Sequence, residues 1–326
     1  MFTIGNNIRM TLFGASHDAK IGVVVDGLKA GYTVNMKGIT ELLARRKPNT
    51  STASTKRQEA DAPAVITGLL DGKTTGAPVV FAIDNGDAHS ADYNGDLPRP
   101  GHSDYPAYVK YEGHNDVRGG GFFSGRMTAC LCIGGAIAMD ILAKSGIKVE
   151  AIGRICGDVE EAAQSGDSVG GIVSCTVTGV PAGYGDPLFG SVESKISSAI
   201  FSVPAVKGVE FGLGFKTASL RGSQNNDEYY INTDAKTKKD FPVLSKTNNA
   251  GGVLGGITTG MPITFNVAIK PTPSIAVMQR TVSLSKKKDA EIKIEGRHDV
   301  CIVPRAVPVI EAVTAFTILD IMGGHK

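Results

Sequence analysis

The sequence has few cysteines, and they form no pattern typical of a metal site or a disulfide framework. The five, Cys130, Cys132, Cys156, Cys175 and Cys301, are an odd number and lie apart along the chain. Because Cys130 and Cys132 lie in an apolar helical stretch, we expect them to be buried thiols. This cysteine usage fits a reducing, cytoplasmic setting.

The sequence also lacks an excess of charge of one sign and a long hydrophobic run. Charged residues make up 20% of the 326 residues, and the formal net charge is only +2. A general nucleic-acid-binding protein would be more basic, and no Lys/Arg block is long enough for a polyanion surface. No 18 apolar residues follow one another, and the N-terminus has no signal-peptide pattern. We therefore expect a soluble protein that binds neither nucleic acid nor a membrane.

The 41 glycines match no nucleotide-binding fingerprint. No G-x-G-x-x-G opens a helix, and no G-K-S/T is present. No repeat of fixed period and no linker-like change of composition is visible. The hydrophobic content of 42% is enough for a sizeable core. We therefore expect a single domain over residues 1–326.

Hydrophobic periodicity predicts both helices and strands. We predict helices over 35–46, 126–144, 188–201 and 305–322, and strands over 21–25, 79–83, 172–178, 209–215 and 263–269. The helices at 126–144 and 305–322 are apolar nearly all round, which predicts that both lie in the interior. The second has a narrow polar stripe made of Glu311, Thr314, Thr317 and Asp320. The polar segment 222–249 is predicted to be a mobile loop.

Residues 99–121 have the composition of an anion-binding site. The segment places Arg99, Arg118, His102, Asp104 and Asp116 on glycine-rich backbone. Glycines let backbone N–H groups approach a ligand closely, and arginines make bidentate contacts with anions. A histidine beside arginines can hold or transfer a proton near neutral pH. The segment predicts a phosphate site with a proton donor; a solvated loop with ordinary charges is the alternative.

Four histidines precede a carboxylate by one or two residues, in the pairs His17–Asp18, His102–Asp104, His114–Asp116 and His298–Asp299. These pairs permit a second interpretation, a metal-dependent phosphohydrolase with His and Asp ligands. None of the pairs has the i,i+3 or i,i+4 spacing that places two ligands on one helix face. The metal site therefore ranks behind the anion site.

Two further segments resemble a cofactor cradle, and the whole set of motifs resembles the chorismate synthase family. The cradle segments are 248–256, which is glycine-rich, and 270–275, which combines Pro, hydroxyls and a lysine. The matching segments run in order along nearly the whole chain: 13–17, 25–27, 45–48, 55–61, 72–76, 99–105, 116–121, 206–210, 222–225, 248–256, 270–275 and 296–311. Each match alone is unspecific, whereas their common order identifies the family.

The resemblance implies a fold, a reaction and a cofactor. The fold is α+β, with interior helices sandwiched between antiparallel sheets, usually as a homotetramer. The reaction is the anti-1,4-elimination of phosphate from 5-enolpyruvylshikimate 3-phosphate to give chorismate, in the shikimate pathway of aromatic amino acid biosynthesis. The implied cofactor is reduced FMN, without net redox change, supplied by a separate flavin reductase or through NADPH.

The resemblance also implies the roles of individual residues. His17 would be the acid near the leaving phosphate, His102 would protonate or polarise the flavin, and Asp299 would assist removal of the ring proton. The implied substrate-binding residues are Ser16, Arg46, Arg99, Arg126 and Arg297. The implied cofactor-binding residues are Phe122, Phe123, Ser124, Pro204, Ala205, Gly255, Lys270, Pro271, Thr272, Pro273, Ser274 and Arg297. No metal site is implied.

The sequence departs from the family pattern around these residues. Phe122 and Phe123 stand where an arginine and a serine are usual, and Thr52 stands where an arginine is common. The other departures are Ala15, Asp18 and Met127. Each lost charge-assisted hydrogen bond would cost about 1.5–3 kcal/mol. A flavin-binding relative with weakened or altered activity is therefore a further hypothesis.

Overall fold

The computed structural model describes residues 2–48, 61–86, 95–233, 243–294 and 299–324. Its α-helices are α1 (Met36–Arg46), α2 (Asp104–Lys110), α3 (Thr128–Ala143), α4 (Val159–Ser165), α5 (Val192–Phe201), α6 (Gly222–Asn225) and α7 (Val303–Ile321). Its β-strands are β1 (Thr3–Ile4), β2 (Arg9–Gly14), β3 (Lys20–Asp26), β4 (Ala64–Thr67), β5 (Leu69–Leu70), β6 (Lys73–Thr74), β7 (Val79–Asp84), β8 (Lys148–Ile155), β9 (Gly171–Thr178), β10 (Val206–Phe211), β11 (Tyr229–Ile231), β12 (Val243–Ser245), β13 (Val253–Leu254), β14 (Ile257–Thr258), β15 (Ile263–Ile269), β16 (Gln279–Ser283) and β17 (Lys288–Ile292). Thr52, Arg297 and His298 lie outside the described residues.

Two antiparallel sheets form the outer layers. The strand order is β1-β2-β3-β7-β4 in the first sheet and β10-β15-β9-β8 in the second. In β15, Ile263, Phe265, Val267 and Ile269 are buried and their neighbours are half-buried. Since alternate side chains of a strand lie on the same face, each sheet has an apolar face that must be covered.

Helices α3 and α7 cover those faces from the inside. Helix α3 contacts β2 and β3, α7 contacts β8 and β9, and the two helices pack against each other. They approach closely at Gly135, where an added Cβ atom would lie 2.3 Å from the Cβ atom of Ala312. This arrangement confirms the α+β prediction of interior helices between antiparallel sheets.

Burial inside the protein explains the apolar surface of α3. The stretch Gly125–Ala143 is long and apolar enough to cross a membrane, with a mean hydropathy of 1.5, but 83% of it is buried in the fold. A core helix between two sheets has the same composition as a membrane span because both are apolar on every side. The length and hydropathy of this helix are therefore only weak evidence for a membrane span.

The polar stripe of α7 is buried as well, and its carboxylates have partners. Glu311 accepts hydrogen bonds from Arg45 at 2.7 and 2.9 Å and from the backbone N–H of Ala151 at 3.0 Å. Asp320 accepts hydrogen bonds from the backbone N–H groups of residues 6–8 at 2.6–3.2 Å. Because a buried carboxylate is stable only when it is paired, these contacts fix α7 to β8 and to the N-terminal segment.

Two predicted elements have different bounds in the structure. The strand predicted at 209–215 ends at Phe211, because Gly212 and Gly214 have φ angles of +55° and +54°, which a strand does not contain. A 3₁₀ helix, Gly214–Ser219, follows. The helix predicted at 188–201 begins only at Val192, where the Ser191 side chain accepts a hydrogen bond from the backbone N–H of Ser194.

The prediction of a loop over 222–249 is wrong for part of the segment. It contains α6 and the antiparallel pair β11–β12. The short strand sequence Tyr229-Tyr230-Ile231 is hard to recognise because polar residues surround it. All three of its side chains are exposed. Strand β8 was not predicted; it forms the edge of the second sheet, and most of its side chains are exposed.

Candidate active site

Both interior helices begin at one cleft of about 560 Å³. Ser124, Gly125, Arg126 and Thr128 line it at the start of α3, and Asp299, Ile302, Arg305 and Ala306 line it at the start of α7. The first N–H groups of a helix have no acceptor within the helix, and the helix dipole favours negative charge at that end. The sandwich of sheets and helices therefore directs two helix N-termini towards any anion bound in this cleft.

Cationic side chains dominate the walls of the cleft. Within the described residues, the lining contains Arg46, Arg99, Arg126, Lys207, Lys270 and Arg305, together with His102, against the single carboxylate of Asp299. Arg305 is itself paired with Asp299 and donates a hydrogen bond from Nε to the carbonyl oxygen of Arg46 at 3.1 Å. The excess of positive charge suits a ligand with several negative charges.

A buried ion-pair cluster fixes two of these arginines. One carboxylate oxygen of Asp61 lies 2.7 Å from Nη2 of Arg46, and the other pairs with Nη1 of Arg126. Arg126 also donates to Asn85 Oδ1 at 2.9 Å, and Arg46 donates to Thr128 Oγ1 at 3.3 Å. Burial would raise the pKa of Asp61, but the charges of both arginines outweigh it and lower the pKa.

A second cluster holds His102 by one ring nitrogen. Asp104 receives hydrogen bonds from Arg99 at 2.7 and 2.8 Å and lies 2.6 Å from Nδ1 of His102. Burial opposes ionisation of Asp104, but the hydrogen bonds from Arg99 and His102 lower the pKa of its carboxyl well below the usual range. Nδ1 of His102 also lies 3.1 Å from Nη2 of Arg99, but its shorter contact with the ionised Asp104 favours a proton on Nδ1 and leaves Nε2 as the ring nitrogen for proton exchange. Arg99 also donates to Ser274 Oγ at 3.2 Å.

Three successive glycines allow one loop to pack against both histidines. Gly119, Gly120 and Gly121 have φ angles of +58°, +80° and +55°, which other residues rarely adopt. An added Cβ at Gly119 would lie 2.4 Å from His17 Nδ1, and one at Gly120 would lie 3.3 Å from His102 Nε2. Glycine at these positions therefore allows the loop to pack closely against both imidazole rings.

Lys207 enters the cleft through an irregularity at the end of β10. The register between β10 and β15 shifts between Val206 and Gly208, and Ala205 has a φ angle of +71°. Bulges of this kind redirect a side chain, and they are common beside functional sites. Lys207 lies close enough to Lys270 that, together with burial as the larger cause, its charge lowers the pKa of Lys270. An anion between the two ammonium groups would relieve this repulsion.

One wall of the cleft is aromatic. The ring centroids of Phe122 and Phe123 lie 4.4 Å apart, and Phe122 makes edge contacts with Phe2 at 5.2 Å and Tyr111 at 5.7 Å. These contacts bury apolar area and hold the two phenylalanines beside the cationic groups. The cleft thus offers a flat apolar surface and an anion-binding surface to the same ligand.

Most of the predicted site residues meet in this cleft. The lining contains His102, Asp299, Arg46, Arg99, Arg126, Phe122, Phe123, Ser124, Pro204, Ala205, Lys270, Thr272, Pro273 and Ser274. Ser16 and His17 lie behind Gly119, which itself lines the cleft. Gly255 lies in the turn between β13 and β14, and neither it nor Pro271 is part of the lining. Arg297 falls outside the described residues.

The sequence prediction gave no role to three charged residues of the site, Asp61, Lys207 and Arg305, although Asp61 and Lys207 lie in the matching segments 55–61 and 206–210. Asp61 closes the polar segment 55–61, and Arg305 lies in the first turn of α7. The sequence did contain a signal for Arg305. A cation in the first turn of an interior helix lies beside any site that borders the N-terminus of that helix. No signal predicted the role of Asp61, because its partners Arg46 and Arg126 are distant in sequence.

Buried polar atoms that lack a hydrogen-bond partner indicate whether an anionic cofactor or substrate fits the cleft. In the part of the chain that the structure describes, Thr272 Oγ1, Ser16 Oγ and Arg46 Nε are buried and make no hydrogen bond. Such atoms need a partner from outside the protein, either a ligand or water. No group of three or more His, Cys, Asp or Glu side chains suited to a metal ion occurs in the described ranges. The residues present therefore fit an anionic organic ligand, and the His–Asp pairs that lie wholly within the described ranges form no such metal group.

Comparisons with known proteins agree with this site. The chorismate synthase family model matches residues 8–159 and 153–322. The chorismate synthases of Thermococcus kodakarensis and Pyrococcus abyssi are 45% and 46% identical to the chain, and in both cases the alignment covers 97% of this chain and 96% of the relative. A crystal structure titled "Crystal Structure of Chorismate Synthase" has the same fold, with a TM-score of 0.74 and 24% identity over 98% of this chain and 92% of the other.

The alignments also contain positions that this chain lacks. The alignment with the T. kodakarensis relative spans 348 positions, more than the 326 residues of this chain, so it contains gaps in this chain. The two segments matched by the family model overlap at 153–159, which covers the end of β8, the short connection 156–158 and the first residue of α4. The cleft residues lie outside this connection. With its fold, its cleft and its relatives in agreement, the chain belongs to the chorismate synthase family of phosphate lyases.

Proposed function

We propose that the chain converts 5-enolpyruvylshikimate 3-phosphate to chorismate and phosphate with reduced FMN as cofactor. The observation that carries the proposal is the cationic cleft at the N-termini of α3 and α7, with His102 and Asp299 on its walls. The substrate has a phosphate and two carboxylates, and the cleft offers an excess of cations with few carboxylates among the described residues. Family membership supplies the reaction type.

The arginines are proposed to bind and orient the substrate. Arg46 and Arg126 are held rigidly by Asp61, so they can contact an anion without first losing side-chain freedom. Arg99 belongs to the second cluster, in which Asp104 fixes its guanidinium group. Ser16 and Arg297 complete the proposed substrate-binding set.

The acids and bases are proposed from the positions of their side chains. His102, oriented by Asp104, exchanges a proton through Nε2 at the cleft. His17 supports the departing phosphate from behind the Gly119 loop, and Asp299 assists removal of the ring proton. A protonated histidine stabilises the phosphate more strongly as negative charge develops on it, which lowers the barrier.

The flat and hydroxyl-bearing parts of the cleft are proposed to hold FMN. The aromatic wall of Phe122 and Phe123 would face the ring system, and the buried Thr272 hydroxyl would receive a polar partner. The remaining proposed contacts are Ser124, Pro204, Ala205, Gly255, Lys270, Pro271, Pro273, Ser274 and Arg297. Reduced FMN, when bound, would donate electron density to the substrate as the phosphate leaves and would take it back afterwards.

Further expectations rest on family resemblance. A separate flavin reductase or NADPH is proposed to supply the reduced flavin. The active form is proposed to be a homotetramer, and the location cytoplasmic.

A flavin-binding relative with altered activity is the second candidate. Its support is the packing of Phe122 against Phe2 and Tyr111, at a position where the family usually has an arginine. Restoring Arg and Ser at positions 122 and 123 should then raise turnover strongly. An unchanged or lower rate in that double variant would favour the fully active enzyme.

The binding test for the proposed function uses FMN with and without substrate. We expect the enolpyruvyl substrate to tighten FMN binding, because both occupy one cleft and each excludes water from the other. FMN fluorescence titration of the full chain measures this directly. An FMN affinity that substrate leaves unchanged, or the absence of FMN binding, would contradict the proposed function.

A further inference from the structure

We propose that Asp61 is a positioning residue that holds the guanidinium groups of Arg46 and Arg126 in one fixed arrangement for a phosphorylated substrate. The inference rests on the proposed function, because it takes these two arginines as anion-binding groups. Asp61 does not line the cleft itself and lies behind the arginines that do. Its role is therefore indirect, through the geometry of two other side chains.

The contacts of Asp61 divide evenly between the two arginines. Oδ2 pairs with Arg46 and Oδ1 pairs with Arg126, and the side chain of Asp61 has no exposed surface. Arg46 extends from the end of α1, whereas Arg126 precedes α3. One carboxylate thus links the two elements that deliver cations to the cleft. Neither arginine can rotate away without leaving one oxygen of this buried carboxylate without its ion-pair partner.

The backbone at position 61 allows a substitution that removes the charge of the side chain without changing the backbone conformation. Asp61 has a φ angle of +46°, in the left-handed region, where aspartate and asparagine are the best tolerated residues after glycine. Asp61→Asn therefore keeps the backbone conformation and the side-chain shape. It removes the negative charge and replaces one acceptor oxygen by a donor.

Charge alone and positioning predict opposite results for this variant. Two arginines share one ionised carboxylate, so removing its charge makes the cleft wall more positive. If Asp61 acted only through its charge, Asp61→Asn would bind anions more tightly. If Asp61 positions the arginines, the amide N–H₂ group repels one guanidinium group, the pair separates, and anions bind more weakly.

The experiment measures binding of inorganic phosphate by titration calorimetry, followed by kcat and KM for the enolpyruvyl substrate. We expect Asp61→Asn to weaken phosphate binding roughly 10–100-fold and to raise KM by a similar factor, with a smaller change in kcat, since an aligned charge-assisted contact is lost. Phosphate binding equal to or tighter than wild type would overturn the inference.

The matched control is Glu311→Gln. Glu311 is a buried carboxylate that also pairs with an arginine, Arg45, but neither residue lines the cleft. The control should lose thermal stability and keep wild-type phosphate affinity. If Glu311→Gln weakened phosphate binding as much as Asp61→Asn does, a general loss of structure would explain both results and the positioning role would be rejected.

A second variant covers the case in which Asp61→Asn does not fold. Asn85 accepts a hydrogen bond from Nε of Arg126 at 2.9 Å and does not line the cleft. Asn85→Ala should weaken phosphate binding in the same direction by a smaller factor, and unchanged binding would count against the inference. Because phosphate binding needs no turnover, a wild-type protein that makes no chorismate would contradict the proposed function and leave this test intact.

Discussion

At the scale of single residues, the contact between Gly119 and His17 is the tightest feature of the site. The loop can pass the imidazole only because Gly119 has no side chain and a φ angle of +58°. Its neighbour Gly120 contacts His102 less tightly, since an added Cβ there would lie 3.2 Å from Cε1 of His102. The spacing of the two histidines across the cleft wall is thus set by backbone atoms, which move less than side chains.

Gly119→Ala should therefore lower activity far more than it lowers stability. The added Cβ would lie 2.3–2.7 Å from atoms of His17 and Ser16, so the ring must shift. Since a general acid contributes roughly 10²–10⁴-fold, we expect a fall in turnover within that range. Turnover and thermal unfolding should be measured on the same samples.

The control for this prediction is Gly146→Ala. Gly146 has a φ angle of +78°, and no atom of the described residues lies within 4 Å of an added Cβ, so it tests backbone strain alone. Both variants should lose about 1–2 kcal/mol of stability from the left-handed backbone. Equal turnover in the two variants would show that the His17 contact is not important for catalysis.

His17 itself should be needed for turnover more than for folding. We expect His17→Ala to lose roughly 10²–10⁴-fold in kcat with a smaller change in substrate affinity, because its contact with phosphate strengthens in the transition state. Rapid-quench or steady-state assays on a folded sample give the two parameters separately. A stable His17→Ala protein with near-normal kcat would refute this role.

At the scale of elements, the crossing of α3 and α7 sets the position of both helix N-termini at the cleft. The crossing point is Gly135 against Ala312, backbone against backbone. Gly134, one residue earlier, faces only the flexible side chain of Met10, with Sδ at 2.4 Å from an added Cβ. The two glycines thus differ in what an added methyl group would displace.

Gly135→Ala should be more destabilising than Gly134→Ala. Overpacking against a backbone typically costs about 1–3 kcal/mol, which exceeds the roughly 1 kcal/mol that alanine gains over glycine in a helix. At Gly134, movement of Met10 can relieve the clash. Urea unfolding of the two variants checks this prediction, and equal or reversed losses would show that the helices have room to separate.

Elements with strong periodicity could be predicted from the sequence, whereas those shaped by tertiary contacts could not. Strand β15 has the predicted bounds, and α1, α3 and α7 begin and end within a few residues of theirs. Strand β8 has exposed side chains at most of its positions, so it has no clear apolar alternation. In the site, local motifs indicated His102 and Arg99, but Asp61 gains its role only when the fold brings α1 and α3 together.

At the scale of the whole molecule, stability should fall below about pH 4. Contacts with arginines, and for Asp104 also with His102, lower the pKa values of the Asp61 and Asp104 carboxyls below their ordinary value of 3.8. Such carboxyls bind fewer protons in the folded than in the unfolded state. Their full contribution to the free energy of unfolding is therefore present at pH values above the ordinary pKa. It is then lost as the pH falls through the folded-state pKa.

Thermal unfolding between pH 7 and pH 2.5 measures this dependence. Asp104→Asn should show a flatter decline in acid than wild type, because it removes one of the carboxyls whose pKa the fold lowers. A wild-type melting temperature that stays constant from pH 6 to pH 3 would contradict the argument. So would an Asp104→Asn curve parallel to that of wild type throughout.

The central claim is that this cleft eliminates phosphate from the enolpyruvyl substrate with reduced FMN and no net redox change. The most direct measurement mixes the full chain, chemically reduced FMN and 5-enolpyruvylshikimate 3-phosphate without oxygen, and quantifies chorismate, phosphate and oxidised flavin. We predict chorismate and phosphate in equal amounts over many turnovers, with the flavin still reduced at the end. A folded, flavin-loaded protein that forms neither product, or that oxidises one flavin per product, would contradict the account.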